Sequence, residues 1–134
     1  MTRKEPLWIE ERDVFAIHDR LLVIHGGPPG LRDRGLLQSA LARPRQHFTY
    51  ASSTGIVGLA AIYAVGIIRN HPFVDGNKRT GFVVGVLFLE LNGFVFQATE
   101  EDATQAIFDL AAGRMNEQAF SSWLQANSRS RKKR

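Results

Sequence analysis

Cysteine is absent from the 134 residues, which excludes disulfides and thiolate-held metals and fits a reducing compartment, the cytoplasm. Also missing is an apolar run able to cross a membrane. The uncharged stretch from Gly55 to Ile68 is shorter than the ~20 residues a spanning helix needs, and it is rich in glycine and alanine. The opening Met-Thr-Arg-Lys-Glu-Pro has no apolar core behind its charges, so no secretion signal is expected. Gly-Lys-Ser/Thr occurs nowhere, which removes a Walker phosphate loop. Repeats and low-complexity blocks are lacking before the last few residues.

What is present is a single domain's worth of chain with 44% hydrophobic residues and a net charge of +4. The positive balance does not mark a nucleic-acid binder. Five of the 17 cations fall in the last six residues (Arg129, Arg131, Lys132, Lys133 and Arg134), and without them the 13 acids slightly outnumber the remaining cations. The basicity therefore belongs to a tail over residues 128–134, expected to be disordered. Only that tail is a candidate to touch nucleic acid.

Periodicity predicts an all-α domain of about six helices over residues 1–127. Trp8 to His25 spaces Val14, Phe15, Ile17, Leu21, Leu22 and Ile24 as a helix does, and Gly26 to Gly30 reads as a loop. Asp33 reads as the N-cap of a short helix that Pro44 stops. Arg45 to Thr54 then suits an exposed flap, with Phe48 and Tyr50 alternatively core anchors. Ile56 to about Asn70 and Asn77 to Leu91 show no clean polar face, so both read as buried helices, antiparallel across a short loop. Gly58, Ala61 and Ala64 would let a neighbour approach the first of them closely. Phe94 to Ala98 reads as extended. Thr99 with Asp102 opens a fifth helix that breaks near Gly113, and Asn116 caps a sixth bearing Phe120, Trp123 and Leu124.

Between the two apolar helices, Asn70 to Arg79 gathers a histidine, a carboxylate, an amide and two cations. Such groups are costly among buried helices unless paired or chemically employed, which makes this stretch the candidate active site. Pro72 disfavours the helical region for His71, leaving its imidazole in a loop, suited to removing a proton near neutral pH. Phe73, the one large aromatic of the run, would pin that loop. Gly76 permits a positive φ, and the first-turn amides of the following helix form an anion site. Lys78 and Arg79 sit where helix stability alone disfavours cations, a conflict that an anionic ligand removes. Asp75 is placed to hold Mg²⁺ between phosphates. Zinc is disfavoured, since no third and fourth ligand stands near His71 and Asp75.

His71-Pro72-Phe73-Val74-Asp75-Gly76-Asn77-Lys78-Arg79 resembles the signature of the Fic/Doc superfamily, His-Pro-Phe-x-(Asp/Glu)-Gly-Asn-(Gly/Lys)-Arg. Lys78, the short chain and the segment Leu31 to Pro44 look like its Doc, or death-on-curing, branch. The resemblance implies a helical bundle with the motif between two central antiparallel helices. It implies that His71 deprotonates a target hydroxyl and Asp75 holds Mg²⁺. Gly76, Asn77 and Lys78 would bind phosphate through backbone and side chain, Arg79 would clamp a second phosphate, and Phe73 would anchor the motif. Relatives with glycine at the place of Lys78 transfer AMP, and commonly carry a second arginine where this chain has Phe82. In the Doc branch ATP is understood to bind reversed and offer its γ-phosphate, making a protein kinase. Its implied target is a threonine of elongation factor Tu, and its implied partner a small Phd-like antitoxin. The self-inhibitory Ser/Thr-x-x-x-Glu-Gly/Asn motif of some Fic proteins is not found. AMP transfer and a non-enzymatic binding module are the competing readings.

Overall fold

The computed structural model describes residues 4–51 and 53–131. In chain order the elements are α1 (Glu11–His25), α2 (Arg34–Tyr50), α3 (Ile56–Asn70), α4 (Asn77–Leu91), β1 (Phe94–Phe96), α5 (Glu100–Ala111), α6 (Glu117–Ala126) and β2 (Ser128–Ser130). Six helices and one small antiparallel ladder make a mostly helical fold.

α3 is the axis. Without a polar face it has nothing to turn toward water, and everything from Leu59 to Ile68 is buried. It packs on α4, α2 and α6, while α1 lies against α4. The close approach to α4 is made by Gly81 and Gly85: a β-carbon on Gly81 would meet Ala64 O at 2.9 Å, and one on Gly85 would meet Ala60 O at 3.2 Å. Of the small residues expected to allow a close approach, Ala64 faces α4 here, together with Ala60 one turn before it. Gly58 has only the Thr54 side chain beside it, whereas Gly66 meets Ala40 of α2. Buried Tyr63 ties the amino-terminal segment to this axis. Its hydroxyl accepts from Ile9 N at 3.0 Å and donates to Ile9 O at 3.4 Å, and burial pushes the phenol up to about 12.

Two expectations are corrected. Pro44 does not stop α2, which continues to Tyr50. Proline removes one i→i−4 bond, a cost of roughly 3 kcal/mol, but tertiary contacts beyond it offset the loss. Pro44 is itself buried, Phe48 meets the Trp8 ring edge-on at 5.6 Å, and Arg45 pairs with Glu10 at 2.8 Å. The flap shrinks to a few residues around Ser53, of which Ser52 lies outside the described residues, and Tyr50 is the aromatic left in solvent.

The tail does not begin at 128. Ser128–Ser130 pair with Phe94–Phe96 as β2, and Arg131 is held by three bonds, its N–H to Gly93 O and its guanidinium to Glu90 O and Phe94 O. The reason is local. Asn92-Gly93 turns the chain after α4 and leaves an unpaired edge on β1, which the residues after α6 are near enough to cover. Residues 132–134, three of the five tail cations, lie outside the described residues.

Candidate active site

α3 ends at His71, the one non-glycine residue with positive φ among those described, at φ 54°, ψ 53°. Pro72 excludes the right-handed region for its predecessor, and the chain leaves the helix by the left-handed one. The loop between α1 and α2 braces this exit along its length. Pro72 O accepts from Arg32 N at 2.6 Å and Asp33 N at 2.9 Å, and Gly30 O accepts from Val74 N at 3.0 Å. The Arg32 guanidinium donates to Asn70 O and His71 O. Gly27 passes so close that a β-carbon there would fall 2.5 Å from an Asp75 carboxylate oxygen.

Phe73 turns inward and is buried, stacked on His18 of α1 at 3.7 Å between ring centroids and meeting Phe15 edge-on at 6.1 Å. His18 also reaches the motif's backbone, with Nε2 2.8 Å from Asp75 O. A carbonyl can only accept, so this contact places the proton on Nε2. Asn77 is buried, and its side chain is already engaged: Oδ1 accepts from Phe73 N and Nδ2 donates to Phe73 O, both at 2.9 Å. This corrects the expectation that the Asn77 side chain meets phosphate. Turned inward, it closes the loop, and what it presents outward is its backbone amide.

Gly76 is the N-cap of α4 at φ 82°, with no side chain capping it. No acid lies in the first turn of α4, and no hydrogen bond occupies the amides of Asn77, Lys78 or Arg79 among the described residues. These three residues line a cavity of about 300 Å³. His71, Asp75, Gly76, Asn77, Lys78 and Arg79 form one wall of it, so His71 and Lys78 line the same space. Lys78 and Arg79 are exposed and make no ion pair among the described residues. Free amides, a helix dipole and two unpaired cations together can hold a polyanion beside a base. No cluster of three or more potential metal ligands occurs among the described residues.

The opposite wall is Thr104, Ile107 and Phe108 of α5, which sequence reasoning did not single out. Their i, i+3, i+4 spacing marks one helix face, and Phe108 is 55% exposed at the cavity rim. That exposed aromatic was the available signal, though nothing in the sequence joins it to the motif.

A family model described as Fic/DOC family matches residues 8–89, more than half the chain. The chain belongs to the Fic/DOC family. It is 34% identical over 93 residues to "Protein kinase doc" of Escherichia phage P1, covering 69% of this chain and 74% of that protein. It is 37% identical over 87 residues to "Toxin Doc" of Mycolicibacterium smegmatis, covering 64% of this chain and 65% of that protein. Among solved structures it is similar to the N-terminal Fic domain of a VirB-translocated Bep effector protein from Bartonella quintana, with bound ADP. That likeness has 20% identity and a TM-score of 0.49, covering 72% of this chain and about half of the other (49%). The Fic/DOC match contains α1 to α3 and α4 as far as Leu89, and hence the whole motif wall, and it stops before α5.

Proposed function

We propose that this Fic/DOC protein is a toxin of a toxin–antitoxin pair, a protein kinase that moves the γ-phosphate of ATP to a target hydroxyl. The observation carrying this reading is that His71, the uncapped amides of α4, Lys78 and Arg79 open onto one cavity. Nε2 or Nδ1 of neutral His71 takes the hydroxyl proton as the alkoxide oxygen bonds to the γ-phosphorus. The bond to the bridging β–γ oxygen breaks, and ADP leaves with that electron pair. The amides of Gly76, Asn77 and Lys78, with the Lys78 ammonium, hold the phosphate nearest α4, and Arg79 holds the next.

Asp75 is the residue that would hold Mg²⁺. It is an exposed oxygen donor on the cavity wall, and one carboxylate with substrate phosphates is a usual Mg²⁺ donor set. The ion, when bound, neutralises charge on the phosphate oxygens.

Kinase chemistry is favoured over AMP transfer by two features. Lys78 adds a cation within the anion nest, and Phe82, standing where AMP transferases commonly have a second arginine, packs edge-on against Phe96 of β1 at 5.6 Å. The phage relative's name, a protein kinase, agrees. The resemblance of the motif supports a threonine of elongation factor Tu as target, with translation arrest as the result. The relatives' names support an antitoxin partner, Phd-like by the same resemblance. No described helix is long and apolar enough to cross a membrane, and the cysteine-free chain suits the cytoplasm. ATP carrying its label on the γ-phosphate should mark elongation factor Tu, and ATP labelled on the α-phosphate should not. Retention of the α label would establish AMP transfer instead.

A further inference from the structure

Arg32 lies in the loop between α1 and α2, far in sequence from the motif, yet it binds three successive carbonyls at the end of α3. Its Nε donates to His71 O at 2.7 Å, its Nη2 to Asn70 O at 3.0 Å, and its backbone N–H to Pro72 O at 2.6 Å. The first two matter most. Asn70 O belongs to the peptide plane before His71 and His71 O to the plane after it, so one planar guanidinium holds both planes that flank this residue. Fixing those planes fixes φ and ψ of His71. The conformation held is the left-handed one, at φ 54°, which disfavours any residue bearing a β-carbon by about 1–2 kcal/mol. The exit from α3 must therefore be held from outside. Arg32 pairs with no carboxylate among the described residues, and its charge is directed at the negative end of the α3 dipole.

We infer that Arg32 is a positioning residue for the reaction: by clamping the carbonyls of Asn70 and His71 it holds the left-handed turn that aims the His71 imidazole at the cavity. This rests on the reading of His71 as the base. Arg32 acts through backbone and not on the nucleotide, so its loss should reach the rate and leave ATP affinity alone. Lysine should serve in part, since an ammonium reaches a carbonyl but lacks the rigid fork that spans two.

The test compares wild type, Arg32→Ala, Arg32→Lys and His71→Ala. The readouts are kcat and KM for ATP in γ-phosphate transfer to elongation factor Tu, ATP affinity by calorimetry, thermal melting, and the Cα chemical shift of His71 by NMR. Arg32→Ala should lower kcat by about 10- to 100-fold, the scale of a misplaced catalytic group. KM and ATP affinity should stay within about twofold, the His71 shift should leave the left-handed range, and Arg32→Lys should recover part of the rate. The inference is overturned if Arg32→Ala keeps both the wild-type kcat and the His71 shift. It is equally overturned if ATP affinity falls as far as the rate, or if lysine is no better than alanine at a matched melting temperature. Should Arg32→Ala fail to fold, the same criteria apply to Arg32→Lys, whose kcat and His71 shift must then fall short of wild type. Full activity in His71→Ala, or no transfer by wild type, would instead sink the kinase reading, and the His71 shift would still decide whether Arg32 holds the turn.

Discussion

His71→Ala is expected to lower phosphoryl transfer by about 10²–10⁴-fold, the contribution of a positioned general base, while ATP affinity stays near wild type. The separation follows from where the parts lie. The groups proposed to hold phosphate belong to the first turn of α4, six residues and one loop beyond the histidine, and that helix end owes nothing to the imidazole. His71 is exposed, and its ring makes no hydrogen bond among the described residues, so truncation removes a reactive group without opening the core. Its backbone remains clamped by Arg32, which contacts the carbonyl and not the ring. Initial rates with γ-labelled ATP, set beside calorimetric affinity, check this. A variant that keeps most of the rate would remove the base from the mechanism, and one that loses ATP affinity in proportion would make His71 a binding residue.

Asn77→Ala is expected to damage the fold more than truncating any other polar side chain of the motif. Its side chain answers both the N–H and the carbonyl of Phe73, in a site where neither can turn to water. Leaving two buried backbone groups unpaired costs about 1–3 kcal/mol each, a large share of the roughly 5–15 kcal/mol that holds a domain folded. Because Phe73 is also the aromatic seated between His18 and Phe15, its backbone and its ring would loosen together. Urea unfolding should therefore show a loss of about 2–6 kcal/mol. Aspartate should not substitute, since a carboxylate can accept from Phe73 N but has nothing to donate to Phe73 O. A loss well below 1 kcal/mol would mean that the loop is held by its neighbours alone.

The centre of the molecule was legible in the sequence because its signals are local. Two helices without polar faces, a proline that ends one and a glycine that starts the next lie within a few residues of each other, and the bounds Ile56–Asn70 and Asn77–Leu91 emerge as read. The caps at Asp33, Thr99 and Asn116 are equally local, and each accepts the expected backbone N–H. Signals that depend on distant partners were not legible. α2 runs through Pro44 because Trp8 and Glu10 wait beyond it, and the residues after α6 form a strand because β1 offers an edge.

The site divides along the same line. His18 and Arg32 reach the motif across 57 and 39 residues, and no spacing rule connects them. His18 does fall one turn after Val14, in register with that helix's buried face, which was the one hint it offered. Phosphate contact by Asn77 was expected from the resemblance of the motif, through backbone and side chain together with Gly76 and Lys78. The fold turns the side chain inward instead. The α5 wall followed from packing alone.

Docking of a triphosphate on the amino end of α4 is tested most directly by following every backbone amide by NMR while Mg·ATP is added. The largest shifts should fall on Gly76, Asn77, Lys78 and Arg79, with smaller ones at Thr104, Ile107 and Phe108 across the cavity, and ADP should reproduce only part of the pattern. Shifts confined to another surface, or amides of the α4 first turn unmoved at saturating nucleotide, would contradict it.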